Sequence, residues 1–144
     1  SHTYASDSEI SLGTAVTLVG RKIVPTDSAR SKVCCGIITM EDKLDPKSLI
    51  SRKDSFGNTD GWAYLYKVAS VGDSRDGDCQ GFNVCNENGD IQPGDLLVTS
   101  STPGYLMRQD DDIIRSCTVG KAMENVIFNE QGQAVGVYGY LYCG

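Results

Sequence analysis

Apolar residues fall in short runs along the chain, separated by glycine, proline and polar clusters. None of these runs has the periodicity of a long amphipathic helix. Most are rich in β-branched and aromatic residues and have the length of a strand. Regular turn signals between short strands predict an all-β sandwich or barrel with long polar loops and minimal helix. The predicted strands cover residues 15–18, 22–24, 33–39, 63–71, 81–85, 96–100, 117–124 and 134–142.

Turn-forming pairs at residues 20–21, 88–89 and 131–132 predict hairpins, because glycine there supplies the backbone angles of a tight turn. Gly136 and Gly139 interrupt the last strand, and a glycine inside a strand indicates a bulge or a close neighbour. No internal repeat is evident in the sequence.

The segment NGDIQPGDLLVTSSTPGYLM, residues 88–107, specifies its local structure most strongly. Proline presets one backbone angle of a turn, and the following glycine supplies the positive φ of a type II turn. Pro93-Gly94 and Pro103-Gly104 therefore predict two tight turns around a buried strand, with Asp95 bonding neighbouring backbone amides. The plain interpretation of this segment is structural, since no catalytic or phosphate-binding motif lies within it.

The chain of 144 residues suits one domain with its own core. Two polar segments, 41–61 and 72–81, predict long loops, and loops of this length are often functional or interfacial. No linker divides the chain. Ser1-His2 has the look of a remnant of a cleaved expression tag, and residues 1–3 are expected to be expression-derived.

Composition and charge limit the kinds of molecule that the chain is expected to bind. The net charge of −6 argues against a nucleic acid, whose phosphates require clustered Lys and Arg. No apolar run has the length of a membrane span, so no membrane insertion is expected. The acidic stretches 73–78 and 110–112 lack the spacing of a calcium-binding loop. We expect neither a metal nor a cofactor.

Six cysteines leave two alternatives open. Cys34, Cys117 and Cys143 lie in apolar runs, where a free cysteine behaves as a small hydrophobe, and reduced core cysteines are the favoured interpretation. The alternative is a disulfide, with Cys79 and Cys85 as the pair. A structural zinc site is not expected, since the chain has no CxxC motif and a single histidine.

Two further candidates for chemistry carry little specificity. A Ser-Lys dyad would need Ser100 or Ser101 activated by Lys121, with burial lowering the pKa of the lysine. Alternating aromatic residues on one strand could stack against a sugar, although such residues more often form a packed face. These aromatic residues are Trp62, Tyr64 and Tyr66.

Four segments resemble a known family in their order along the chain. They are GTAVTLVGRKIV (13–24), VCCGIIT (33–39), GDIQPGDLLVTSSTPGYLM (89–107) and SCTVGKAME (116–124). They resemble the C-terminal intramolecular-chaperone domain of phage neck-appendage and tail-fibre proteins, a self-cleaving domain of the glutamic-peptidase type. The resemblance covers nearly the whole chain.

The resemblance implies a β-rich domain at the end of a viral fibre or tail appendage, made in the host cytoplasm and carried into the virion. Such a domain helps three identical chains fold in register and is released by self-cleavage near its N-terminus. The partner it implies is therefore a homotrimer. The alternative is a permanent tip of the same kind of fibre that binds a host-surface receptor or carbohydrate.

The family segment for cleavage begins Asp-Tyr-Ala-Glu, and Tyr4-Ala5 matches its middle. Thr3 and Ser6 stand where the family has acids, which leaves self-cleavage of this chain open. Without a usable histidine or a metal, cleavage needs a carboxyl group near the scissile bond. Asp7 and Glu9 are the candidate catalytic residues for a single-turnover cut at or before residue 10. Their alternative interpretation is that of exposed terminal acids.

Overall fold

The computed structural model describes residues 2–41, 64–73 and 79–142, and every regular element in these ranges is a β-strand. The prediction of an all-β fold is confirmed. The strands are β1 His2–Ser6, β2 Ala15–Val19, β3 Lys22–Pro25, β4 Cys34–Glu41, β5 Tyr64–Ser70, β6 Cys79–Cys85, β7 Leu96–Thr99, β8 Leu106–Arg108, β9 Gly120–Ala122 and β10 Gln133–Leu141.

The strands form two closed barrels with the same connectivity. The first barrel has the order β1-β3-β2-β4-β5, and the second has the order β10-β6-β8-β7-β9. In each barrel the first strand pairs parallel to the third and antiparallel to the fifth, which closes the sheet. The second strand pairs antiparallel to both the third and the fourth. The chain therefore contains a structural repeat that the sequence did not reveal.

The repeat extends to individual backbone hydrogen bonds outside the strand ladders. Several bonds of the first barrel have a counterpart at the matching position of the second barrel, and three pairs illustrate the match. The pairs are Gly13 N to Ile38 O (2.9 Å) with Gly94 N to Ala122 O (2.7 Å), Val71 N to Cys35 O (2.9 Å) with Tyr142 N to Val119 O (2.8 Å), and Thr26 N to Ala15 O (3.0 Å) with Gln109 N to Leu96 O (2.7 Å).

One glycine recurs at the same place in both barrels. Gly36 in β4 pairs with Val16, and Gly120 in β9 pairs with Leu97. A Cβ atom on Gly36 would lie 2.1 Å from a backbone oxygen of β5, and one on Gly120 would lie 2.6 Å from a backbone oxygen of β10. No side chain fits at either position, so the close approach of the fourth and fifth strands requires glycine.

The two barrels share one hydrophobic core. The first barrel has an inner cluster of its own that includes Val16, Ile38 and Val68. A larger cluster fills the second barrel and also takes in side chains of the first. Its first-barrel members are Ala15, Ile37 and Ala69, and its second-barrel members are Phe82, Val84, Ile91, Leu97, Leu106, Val119, Ala122, Val137 and Leu141.

All eight predicted strands are present, and most of their boundaries lie within two residues of the prediction. The strand predicted at 117–124 is the exception, since β9 covers only Gly120–Ala122. Two strands were missed. β1 includes His2 and Thr3, which had been set aside as expression-derived, and it pairs along its whole length with β5. β8 has only three residues and directly follows the turn at Gly104.

The predicted hairpins have different outcomes. The turn at 20–21 joins β2 to β3 as predicted. The pair 88–89 forms a turn without a hairpin, because β6 lies between β8 and β10 rather than beside β7. The pair 131–132 also forms a turn, but only its second arm is a strand. The bulge predicted in the last strand is confirmed between Ala134 and Val137, with Gly136 at φ +65°.

The two Pro-Gly turns and the strand between them are confirmed. Gly94 and Gly104 both have positive φ, and Asp95 accepts a hydrogen bond from the backbone amide of Gln92 at 2.8 Å. All four residues of β7 are buried. The strand is central because it pairs with β8 on one side and with β9 on the other.

Candidate functional site

The two predicted catalytic acids lie in the connection between β1 and β2, on the surface of the first barrel. The Asp7 carboxylate forms an ion pair with the Lys22 ammonium at 3.0 Å. Glu9 is exposed. The preceding pair Tyr4-Ala5 lies inside β1, opposite residues of β5, so its peptide groups belong to the barrel wall. Residues 7–9, in contrast, are exposed, and the Ser8 amide and carbonyl are held by hydrogen bonds with the Ser6 hydroxyl.

A tyrosine that sequence reasoning did not connect with cleavage lies beside this stretch. Tyr66 is buried in the first barrel, and its hydroxyl oxygen accepts a hydrogen bond from the Ile10 amide at 2.8 Å. Burial raises the pKa of Tyr66, and the negative charges of Glu41 and Glu9 add to the rise. The ring lies nearly parallel to that of Tyr64, with centroids 6.4 Å apart.

The first barrel thus brings Glu9, Glu41 and the Tyr66 hydroxyl to one end. An exposed carboxylate here can take a proton from water, and a tyrosine hydroxyl can donate a hydrogen bond. Asp7 is less suited to proton transfer because Lys22 already holds it. The signal that sequence reasoning missed is long-range, since Tyr66 and Ile10 are 56 residues apart.

The Ser-Lys dyad is not assembled. Ser100 is buried, and its hydroxyl donates to the backbone oxygens of Thr102 and Tyr105. The Ser101 hydroxyl and amide instead donate to the Glu87 carboxylate, which lowers the pKa of that carboxyl group. The hydrogen bonds of both serines therefore stabilise the loop between β7 and β8, and none of these bonds involves the exposed Lys121.

The four cysteines whose side chains the structure describes agree with the favoured interpretation of reduced thiols. Cys34, Cys35, Cys85 and Cys117 are free thiols. The alternative pairing of Cys79 with Cys85 is wrong, because they occupy opposite ends of β6, six residues or roughly 20 Å apart. Burial raises the pKa of Cys34 to about 12 and that of Cys35 to about 11.

Several candidates fall outside the described residues, namely Trp62, Cys143, Asp76, Asp78 and nearly all of the predicted loop 41–61. Within the ranges that the structure covers, no group of three or more His, Cys, Asp or Glu residues is placed to hold a metal ion. Nor do those ranges contain a helix long and apolar enough to cross a membrane.

The second barrel presents an open apolar face that composition alone did not indicate. Leu96, Lys121 and Tyr140 lie side by side on its outer side, since Lys121 pairs with both other residues. Lys121 and Tyr140 are exposed, whereas Leu96 is only 5% exposed and lines the groove described below. Ile114 borders them and is 52% exposed. We call these four residues the open face. A groove of about 270 Å³ crosses it between Tyr140 and Tyr142.

A second groove of about 380 Å³ adjoins the open face and is partly acidic. It shares Leu96, Ile114 and Lys121 with the first groove, and Asp95 and Asp112 supply its carboxylates. Apolar walls with a few convergent polar groups are typical of binding surfaces. Comparison of the chain with protein-family models, curated proteins and solved structures finds no match.

Proposed function

We propose that this chain is the C-terminal assembly domain of a viral tail fibre or appendage. It helps three copies fold and associate as an intramolecular chaperone, is made in the host cytoplasm and belongs to the virion. The observation that carries the proposal is the open face, because a chain of net charge −6 that leaves Ile114 and Tyr140 52% and 41% exposed beside an apolar groove is suited to association.

The family resemblance supports the same function. Its segments coincide with the β2–β3 hairpin, β4, the β7–β8 hairpin and β9. They also include Gly36 and Gly120, the glycines that recur in the two barrels. The resemblance thus follows the most constrained backbone of both barrels rather than an arbitrary part of the surface.

The test is to express the fibre stem that this function requires upstream, with and without the domain. We expect the stem to form trimers efficiently only when the domain is attached or supplied during folding. A stem that forms the same yield of trimers without the domain would overturn the chaperone function.

Self-cleavage is a separable part of the proposal, with Glu9 as the general base. Glu9 would take a proton from a water molecule, whose oxygen would add to a carbonyl carbon within residues 7–10. The C–N bond would then break, and the protonated Glu9 would return that proton to the leaving amine. The exposure of residues 7–9, the Glu9 carboxylate and the nearby Tyr66 hydroxyl support this assignment. Cleavage inside β1 would first require that strand to leave the barrel.

The cleavage test follows the mass of a stem-bearing precursor by electrophoresis over hours. Glu9→Gln keeps size and hydrogen bonding but loses the carboxyl group, so we expect an uncut and folded precursor. Asp7→Asn is the matched variant, and we expect it to be cut. If both variants shorten as fast as the parent, the catalytic group lies elsewhere; if the parent never shortens, the domain assists assembly without cutting.

A second candidate function is a permanent tip that binds a host receptor or carbohydrate. The grooves at the open face favour it, since Tyr140 and Tyr142 offer rings beside the polar groups of Asp112 and Lys121. Tyrosine combines an apolar body with a hydrogen-bonding end, which suits sugar recognition. The test is a glycan-binding screen with Tyr140→Ala as the control, and failure of the parent to bind would remove this candidate.

A further inference from the structure

The outer face of the first barrel is fully covered, whereas its counterpart on the second barrel is exposed at Lys121 and Tyr140 and buried only at Leu96. In the first barrel the face consists of Ala15, Ile37 and Ala69, which are at most 1% exposed because they pack into the shared core. Strand register makes Ala15 equivalent to Leu96 and Ile37 equivalent to Lys121. By the same register, Ala69 is equivalent to Tyr140. The open face is therefore the second copy of a surface that already forms an interface within the chain.

The β7–β8 hairpin of the second barrel contributes to that existing interface. Its Gly104 oxygen accepts a hydrogen bond from the Ala15 amide at 2.9 Å, and its Gly104 amide donates to the Thr26 oxygen at 2.7 Å. The Thr99 hydroxyl donates to the Ser28 oxygen at 2.9 Å. The hairpin thus lies along the edge of the covered face and beside the β3–β4 connection.

The counterpart of this hairpin in the first barrel is the β2–β3 hairpin, and it is exposed. Leu18 is 41% exposed and Val19 is 62% exposed, although Leu18 occupies the position of the fully buried Thr99. The chain therefore forms one interface internally and leaves the two matching halves of a second one exposed to solvent, at the open face on one barrel and at this hairpin on the other.

The two exposed surfaces are complementary in polarity and charge. The hairpin offers exposed Val19 and, at its tip, the cation Arg21. The corresponding site on the second barrel offers exposed Ile114 and the carboxylates of Asp95 and Asp112 in the acidic groove. In a contact between the two surfaces, Val19 would pack against Ile114. Arg21 would form ion pairs with the carboxylates of the acidic groove.

We propose that the open face binds the β2–β3 hairpin of a second copy of this chain, repeating between molecules the contact that joins the two barrels within one. Such a head-to-tail interface either closes into a ring or extends as a filament. This inference deepens the proposed assembly function, in which three chains would close a ring of six barrels.

The apolar part of the contact is tested by charge insertion, with sedimentation velocity at micromolar concentration as the readout. We expect Val19→Glu and Ile114→Glu each to reduce the assembled species to single chains while circular dichroism keeps the parent signal. Ile127→Glu is the matched control, since Ile127 is 91% exposed and lines neither groove of the open face. It should assemble like the parent.

The polar part is tested by exchanging charges. Arg21→Glu and Asp112→Arg should each weaken assembly at least tenfold in dissociation constant, and the double variant should recover most of the loss. Recovery requires that the two residues meet across an interface, which loss of folding could not imitate. Two single defects without recovery would overturn this pairing.

The remaining outcomes separate the interface from the function. A parent that assembles, with variants on both surfaces assembling equally well, would overturn the head-to-tail contact and leave the chaperone function intact. An isologous dimer or a monomeric parent would also overturn the contact, while the stem experiment decides the function independently. If the parent forms filaments and the same variants abolish them, the head-to-tail contact would be supported, but the closed trimer would be ruled out.

Discussion

At the scale of single residues, the structural repeat is visible in the sequence at glycine positions that occur in both barrels. Gly36 and Gly120 lie against backbone oxygens of neighbouring strands, where even a methyl group has no room. The nearby carbonyls belong to the sheet ladder and cannot move without breaking pairing. The same constraint at equivalent positions explains why glycine recurs although most surrounding side chains differ.

We expect Gly36→Ala and Gly120→Ala to destabilise the protein by similar amounts, about 1–3 kcal/mol each, as overpacking of an interior does. Chemical denaturation monitored by circular dichroism measures the free energy of unfolding. Gly81→Ala is the comparison variant and should cost less, since the nearest atom to its added Cβ is 3.3 Å away and has to move by only a few tenths of an ångström. A parent-like stability of either buried variant would contradict the close approach of the strands.

A second prediction at this scale concerns pH. The guanidinium of Arg115 and the amide of Gln109 donate hydrogen bonds to Asp111, which lowers the pKa of its carboxyl group from 3.8 to about 2. A lowered pKa means that the stabilising contribution is present above pH 3.8 and is lost as pH falls towards 2. NMR titration of the Asp111 carboxyl carbon measures this directly.

The matched variant for that titration is Arg115→Gln, which removes the ion pair and keeps a polar side chain. The pKa of Asp111 should then rise towards its ordinary value. An unchanged titration in the variant would show that the Arg115 contact does not hold the carboxylate.

At the scale of elements, the turn and strand signals predicted most of the fold. Strands bounded by Pro-Gly or Gly-Arg turns were found almost to the residue, because local backbone angles determine them. Barrel closure was not predictable, since pairing of β1 with β5 joins residues about 60 positions apart. The same distance in sequence hid the contact of Tyr66 with Ile10 at the candidate cleavage site.

The repeat escaped sequence reasoning for a physical reason. Equivalent positions such as Ile37 and Lys121 have different environments, one in the shared core and the other on the open surface. Burial selects an apolar side chain at the first position and permits a charge at the second. Similar backbones therefore carry dissimilar side chains, and only the glycine and turn positions remain alike.

Among the elements, β7 gives the sharpest stability test. Leu97 is fully buried at the centre of the second barrel. Leu97→Asp would place a carboxylate in the core without a partner, at a cost of several kcal/mol, which approaches the total stability of a domain. We expect loss of the folded circular dichroism signal, with Ile127→Asp melting like the parent. A folded Leu97→Asp protein would show that β7 is exposed.

At the scale of the whole molecule, the two barrels behave as unequal partners in one unit. The first barrel buries its outer face against the second, whereas the second leaves Lys121, Tyr140 and Ile114 exposed at the corresponding place. The chain can then be both a stable folded unit and an incomplete assembly. This combination is what a folding module of a fibre requires, since association is linked to a surface that only the folded barrels create.

The most direct test of association through the open face is the mass of the chain in solution by sedimentation equilibrium across micromolar concentrations. One chain has a mass of 15.5 kDa, and a trimer has three times this value. We predict the trimer mass for the parent and the single-chain mass for Ile114→Glu. A mass of 15.5 kDa for the parent at every concentration would contradict the account.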